Sequence, residues 1–157
     1  MRYAHDGQYV GNFVLPARKG SGSDNGDSDR AITMRTEGDE GFPREGERMT
    51  PAAAAHLARL RSPNLSPALQ TAAGARGWRI ALVELQATAD EKGTIVALGD
   101  ASRAQHDLSS VPSRIALDRL YIHGDPQRGQ RRGVALNSSS TNALIVPFRT
   151  FGASNTP

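Results

Sequence analysis

A four-residue string, Arg79-Ile80-Ala81-Leu82, returns as Arg114-Ile115-Ala116-Leu117, a step of 35 positions, inside a longer shared pattern. The pattern reads apolar, x, apolar, x, x, apolar, x, apolar. Its first copy runs through Ile80, Leu82, Leu85 and Ala87, and its second through Ile115, Leu117, Leu120 and Ile122. A repeat of this length is the signature of a solenoid, whose units bury their apolar faces only by stacking on one another. The two-residue gap in the middle has a mechanical meaning. Strict alternation keeps one face of a strand inward, and an extra residue reverses that face unless the chain bends there. Two short strands on either side of a bend are therefore expected. The apolar residues face in, while Ala116, the pair Val83-Glu84 and the pair Asp118-Arg119 face out.

A second motif alternates with the first. Ala68-Leu69, Ala97-Leu98 and Ala135-Leu136 each precede two small or polar residues, at offsets of 29 and 38. Each Ala-Leu strand is followed by one of the longer strands, Trp78 to Ala87, Arg114 to His123 and a weaker Asn142 to Val146. The chain carries 16 Gly and 9 Pro with only 5% aromatic residues, which suits turn-rich coils filled with aliphatic side chains. At 157 residues, a single domain is expected over the whole chain, with the best-formed coils at 62–146.

The N-terminal half is less regular. Residues 9–16 and 31–36 alternate like strands, and 19–30 is an acidic Gly/Ser loop. The Asp24, Asp27 and Asp29 spacing suggests a cation loop, but a flexible linker accounts for the same composition. The segment 51–61 predicts one short α-helix, with Thr50 as cap, Pro51 at its first position and late arginines at its C-terminal end. Within that helix, His56 has no histidine or carboxylate at ligand spacing and reads as a surface side chain. Apolar strands that enter within the first residues and fade after Thr141 leave both end coils without caps. The chain is therefore expected to be an incomplete piece of a longer solenoid, able to self-associate through its end coils.

Composition excludes several function classes. There are 19 basic against 16 acidic residues, and Lys19 and Lys92 are the only lysines. This excess is neither clustered nor interleaved with aromatics, so no nucleic-acid partner is expected. The absence of cysteine removes disulfides, thiolate metal sites and cysteine nucleophiles together. Residues 1–11 carry no apolar stretch of signal-peptide length, and no run is long enough for a membrane span. Phosphate loops, zinc spacings and nucleophile elbows are not found either.

The stretch Leu117-Asp118-Arg119-Leu120-Tyr121-Ile122-His123-Gly124-Asp125 resembles the coil consensus of right-handed parallel β-helix proteins, the pectate-lyase-like superfamily. Gly11 to Pro16, Ile32 to Thr36, Arg61 to Asn64 and Leu117 to Ser140 resemble a bacterial group of such proteins. The resemblance implies an all-β fold, a right-handed parallel β-helix segment, and an extracellular or periplasmic setting for the relatives. It also implies a polysaccharide partner. Members that cleave acidic glycans hold calcium on outward carboxylates, and an arginine or lysine acts as the base. Calcium and arginine neutralise a uronate and so ease removal of the adjacent carbon-bound proton.

On these terms Glu84 and Asp118 are the candidate calcium ligands, on neighbouring repeats, with Arg119 at the position equivalent to Glu84. A cross-strand salt bridge between Glu84 and Arg119, worth ~0.2–1 kcal/mol, explains the same residues without a metal. Arg119, His123, Asp125, Arg128 and Arg131 are the candidate substrate-binding residues, since arginine forks suit carboxylate or sulfate groups on a glycan. A strand-end His-x-Asp that merely bonds its own turn is the plainer alternative. No catalytic base can be assigned. The functional expectation is a protein that binds or processes polysaccharide, with lyase-like chemistry on acidic glycans as the form that processing would take. The alternatives are a noncatalytic structural or adhesin-like β-helix and an inactive fragment.

Overall fold

The computed structural model of the protein describes residues 1–17, 31–87, 93–99, 105, 109–125, 127 and 129–137. The 19–30 loop, Arg128 and the strand expected at 142–146 lie outside them. The described residues form twelve strands, taken three at a time by four successive coils. The first coil holds β1 (Arg2–Tyr3), β2 (Gln8–Val10) and β3 (Phe13–Leu15). The second begins with β4 (Ile32–Thr36), passes through α1 (Pro51–Ala54), and continues with β5 (Ala58–Arg61) and β6 (Leu69–Thr71). The third holds β7 (Arg76–Ala81), β8 (Val83–Gln86) and β9 (Thr94–Leu98). The fourth holds β10 (Ser113–Asp118), β11 (Tyr121–His123) and β12 (Arg132–Leu136).

Each strand pairs in parallel with its counterpart one coil away, giving three four-stranded sheets: β1-β4-β7-β10, β2-β5-β8-β11 and β3-β6-β9-β12. The protein is a three-sided parallel β-helix. One apolar core runs along its axis, with Tyr3, Met34, Ile80 and Leu117 from the first sheet, Ala58, Leu60 and Leu85 from the second, and Leu15, Leu69, Val96 and Leu98 from the third. Both faces of a parallel sheet usually need cover. Here the inner faces cover one another, and the outer face of the second sheet carries polar residues such as Arg59, Arg61 and His123. Among the described residues, no helix is long and apolar enough to cross a membrane.

The register corrects the phase of the repeat. Ile115 lies opposite Trp78, Leu117 opposite Ile80, and Ile122 opposite Leu85, an offset of 37 rather than 35. The apolar pattern has the expected shape, but in the third coil it occupies Trp78, Ile80, Val83 and Leu85. Val83 is thus inside. Leu82 leaves the axial core and joins a second cluster with Met49, Ala54, Leu57 and Ala81. The literal echo of Arg-Ile-Ala-Leu is shifted by two residues from the structural repeat. For the Ala-Leu motif, the offset of 38 holds, since Ala97 and Leu98 face Ala135 and Leu136, while Leu69 faces Val96 instead of Leu98.

The bend expected between the paired strands is present, and its backbone explains it. Leu82 (φ 51°) and Arg119 (φ 47°) occupy equivalent corner positions and both adopt the left-handed conformation. That turns the chain between first and second sheets without changing the inward face. The second coil has no tight corner there. Residues 37–57 leave the stack instead, and their Phe42, Met49, Ala54 and Leu57 cover Ala81 and Leu82 from outside. At a different corner, Gly99 (φ 89°) follows β9. A Cβ there would sit 2.1 Å from the Asn137 carbonyl oxygen, so the close approach of the next coil requires glycine.

The expected helix over 51–61 is much shorter. Thr50 caps it through the Ala53 amide (3.2 Å), but it spans only Pro51–Ala54, and 58–61 is β5. Ala58 and Leu60 are fully buried in the axial core while Arg59 points outward, a period of two that pairing with β2 and β8 satisfies. Local helix preference yields to this burial. Residues 9–16 likewise divide into β2 and β3. Asn12 makes that corner, its Nδ2 donating to Ser62 Oγ (3.1 Å) and to the Pro67 carbonyl (3.0 Å).

The register is directly testable. Cysteines replacing Arg79 and Ala116 face each other and should form a disulfide on mild oxidation. The pair Arg79→Cys with Arg114→Cys, which the echo would align, sits two residues out of register, about 8 Å apart, and should not close. Leu85→Ala, in the fully buried axial core, should lower unfolding free energy by about 2–5 kcal/mol in urea denaturation.

Candidate functional site

The outer face of the second sheet carries two rows, polar except for Val10, fixed by the register. One is Gln8, Arg59, Glu84 and Tyr121; the other is Val10, Arg61, Gln86 and His123. Glu84 sits at the centre, its side chain 7% exposed, because its neighbours close over it. Arg59 Nε donates to Glu84 Oε2 at 2.9 Å, and Arg59 also donates to the Ala55 carbonyl at 3.0 Å. His123 Nε2 lies 2.8 Å from Glu84 Oε1, and the Gln86 amide donates to the same oxygen. The other imidazole nitrogen, Nδ1, is 3.3 Å from the Gly124 carbonyl oxygen, and the Tyr121 ring lies beside the imidazole at 5.0 Å.

Electrostatics follow from these contacts. Burial alone would raise the Glu84 carboxyl, but hydrogen bonds from His123, Gln86 and Arg59 outweigh it and hold the group below its ordinary value. The hydrogen bond to Glu84 raises His123 against the opposing effect of burial, and the Gly124 carbonyl adds to it. Both imidazole nitrogens face acceptors. Only the imidazolium can donate to both, so the protonated ring is the state this site favours.

A second charged cluster lies at the corner between the first and second sheets. Asp118 accepts from Arg79 (2.6 Å) and from Nε and NH2 of Arg119 (3.1 and 2.9 Å). Arg119 also donates to the Pro43 carbonyl at 2.8 Å, and Arg79 reaches Glu45 at 3.0 Å. The excursion that covers Leu82 therefore also buries this corner. Burial pushes the Asp118 carboxyl up, and the two arginines override it, leaving the group below its ordinary value.

The residues singled out in the sequence fall in different places. Arg119 is opposite Leu82, not Glu84, and its side chain is 13% exposed and committed to Asp118. The Glu84–Arg119 bridge is thus replaced by two separate networks. His123 remains on the open sheet face with its side chain 40% exposed. Asp125 Oδ1 accepts the Gln127 amide at 2.7 Å within its own turn, and Arg131 is exposed on the approach to β12. Calcium does not fit the donor set. Both oxygens of Glu84 already accept from Arg59, His123 and Gln86, and both of Asp118 from Arg79 and Arg119, so a dication would have to displace those donors and their charges.

Arg59, Gln86, Tyr121 and Arg79 belong to these networks but were not evident from the sequence. Arg59 reads locally as the basic end of a helix, and its pairing with Glu84 depends on a coil contact that the 37–57 excursion obscures. A comparison of charges at matched coil positions would have found it only with the correct register. The fold and the surface define a parallel β-helix protein with a charged outer sheet face. No family model, curated protein or solved structure matches the chain.

The charge arrangement has a signed pH dependence. Glu84 and Asp118, both depressed, stabilise the fold above their ordinary values of 4.5 and 3.8, and that contribution is lost as pH falls through the folded values. His123, raised, stabilises below its ordinary 6.5 and loses its contribution as pH rises through its higher folded value. Thermal stability should therefore peak in the mildly acidic range and decline on both sides, and His123→Gln should flatten the alkaline limb. Glu84→Gln should cost about 1–3 kcal/mol, because Arg59 and His123 lose the carboxylate they share; an unchanged denaturation midpoint would contradict this network.

Proposed function

We propose that this β-helix is a polysaccharide-binding protein of the pectate-lyase-like superfamily, and that it recognises acidic glycans on the outer face of its second sheet. The observation that carries the reading is the internal use of Glu84. Its carboxylate orients Arg59 and His123 at the surface, and Arg61 stands in the adjoining row. Three cations against one carboxylate, when His123 is protonated, leave a positive surface on parallel strands spaced about 4.8 Å apart. Arg59 and His123, held in place by Glu84 before any ligand arrives, bind carboxylate or sulfate groups with little further loss of side-chain freedom.

Binding is favoured over cleavage. A base for proton abstraction needs an open acceptor, and both His123 nitrogens already meet protein acceptors. A second reading, a noncatalytic structural β-helix without a glycan ligand, is favoured by the complete internal pairing of Asp118. Calorimetric titration with polygalacturonate, alginate and a neutral glucan near pH 5.5 separates these readings. The acidic glycans should bind, more weakly at higher salt, and Arg61→Ala should reduce affinity by roughly three- to tenfold. Equal binding of the neutral glucan, or no effect of Arg61→Ala, would remove this face as the site. Formation of unsaturated uronates during the titration would instead establish a lyase.

A further inference from the structure

At the turn between α1 and β5, the stack brings together three potential metal ligands from two coils. His5 and Asp6 lie in the turn between β1 and β2, and His56 lies just before β5. One ligating atom from each is within 4.8 Å of the others. His56, which in sequence has no partner at ligand spacing, gains a histidine and a carboxylate through coil stacking alone.

We propose that His5, Asp6 and His56 form a binding site for a transition-metal dication of the zinc type. The Nδ1 atoms of both imidazoles face the Asp6 carboxylate, 3.2 Å from His5 and 3.8 Å from His56. The two rings are nearly parallel, with centroids 5.3 Å apart and planes at 22°, and Phe42 backs the His5 ring at 5.6 Å. A cation among the three facing atoms takes two nitrogens and one oxygen, and small side-chain rotations bring these to the roughly 2.0–2.2 Å that zinc requires. Water completes the tetrahedron, since all three side chains are exposed. Imidazole donors select zinc, nickel or copper over calcium and magnesium.

The backbone holds the two turns in place. The Asp6 amide donates to the His56 carbonyl at 3.4 Å, and the Arg59 amide donates to the Gly7 carbonyl at 2.8 Å. Asp6 is left-handed (φ 57°), which Asp and Asn tolerate better than most residues and which fixes the carboxylate between the two imidazoles. A bound cation would clasp the first coil to the second. The cluster would bind its ion whether or not the second sheet binds a glycan, although Arg59 borders both places.

Titration of the full chain with Zn2+ by calorimetry, and with Co2+ by visible absorption, tests the assignment. One equivalent should bind, the cobalt complex should show tetrahedral d–d bands, and zinc should raise the melting temperature. His5→Ala and His56→Ala should each weaken binding by at least roughly tenfold, the loss that even an outer-shell change can cause. Asp6→Asn, which keeps the turn, should weaken it as well, and His123→Ala should leave it unchanged. Absence of zinc binding, or binding that survives both His5→Ala and His56→Ala, would overturn the proposal.

Discussion

Parallel coils stay in register only if each turns its corners at the same height, and between the first and second sheets that turn is made by a left-handed residue. Leu82 and Arg119 hold this position in consecutive coils. Neither is a residue type that favours it, and the conformation costs roughly 1–2 kcal/mol at each. Different interactions offset that cost. Leu82 is 1% exposed, buried against Leu57, Met49 and Ala54, while Arg119 is held by Asp118 and the Pro43 carbonyl. The partners of Leu82 and one of those of Arg119 come from residues 37–57. The excursion that replaces one tight corner thus secures the two that follow.

This dependence separates the two buried carboxylates by role. Asp118 belongs to the corner: its arginines are bonded to the excursion as well, and Arg119 beside it is only 13% exposed, while Arg79 reaches outward at 35%. Glu84 belongs to an open sheet face. Its partners remain 30% and 40% exposed, so the same kind of charge pairing that fixes structure at the corner presents oriented cations at the surface. Partial exposure also means that solvent screens these pairs, and their contribution to stability is smaller than burial of Glu84 alone would suggest.

The corner geometry also explains how remote residues meet. Turns from successive coils stack as the strands do, so side chains far apart in sequence become neighbours. Asn12 with Ser62, Thr71 with Gly99, and His5 with His56 are all contacts of this kind. In a solenoid, chemistry at the corners is assembled by stacking. No single turn contains it.

Much of the architecture is legible in the residues themselves. The apolar pattern with its central gap determines a stack of short strands with a bend, and Ala97-Leu98 with Ala135-Leu136 marks a true pair of coil positions. The phase of the third coil is not determined in this way. Trp78, Ile80 and Leu82 alternate as Ile80, Leu82 and the next inward residue would, because a shift of two residues preserves which face of a strand is apolar. Only the position of the bend and the arrival of Leu57 and Met49 decide that Leu82 lies outside and Val83 inside. Arg59 is ambiguous for the same reason, since Ala-rich sequence before it favours helix until pairing with β8 makes it the neighbour of Glu84. Local sequence determined the kind of fold, because periodicity is local. Register, the Glu84 network and the His5–Asp6–His56 cluster were decided by tertiary structure, because each depends on which coil lies alongside.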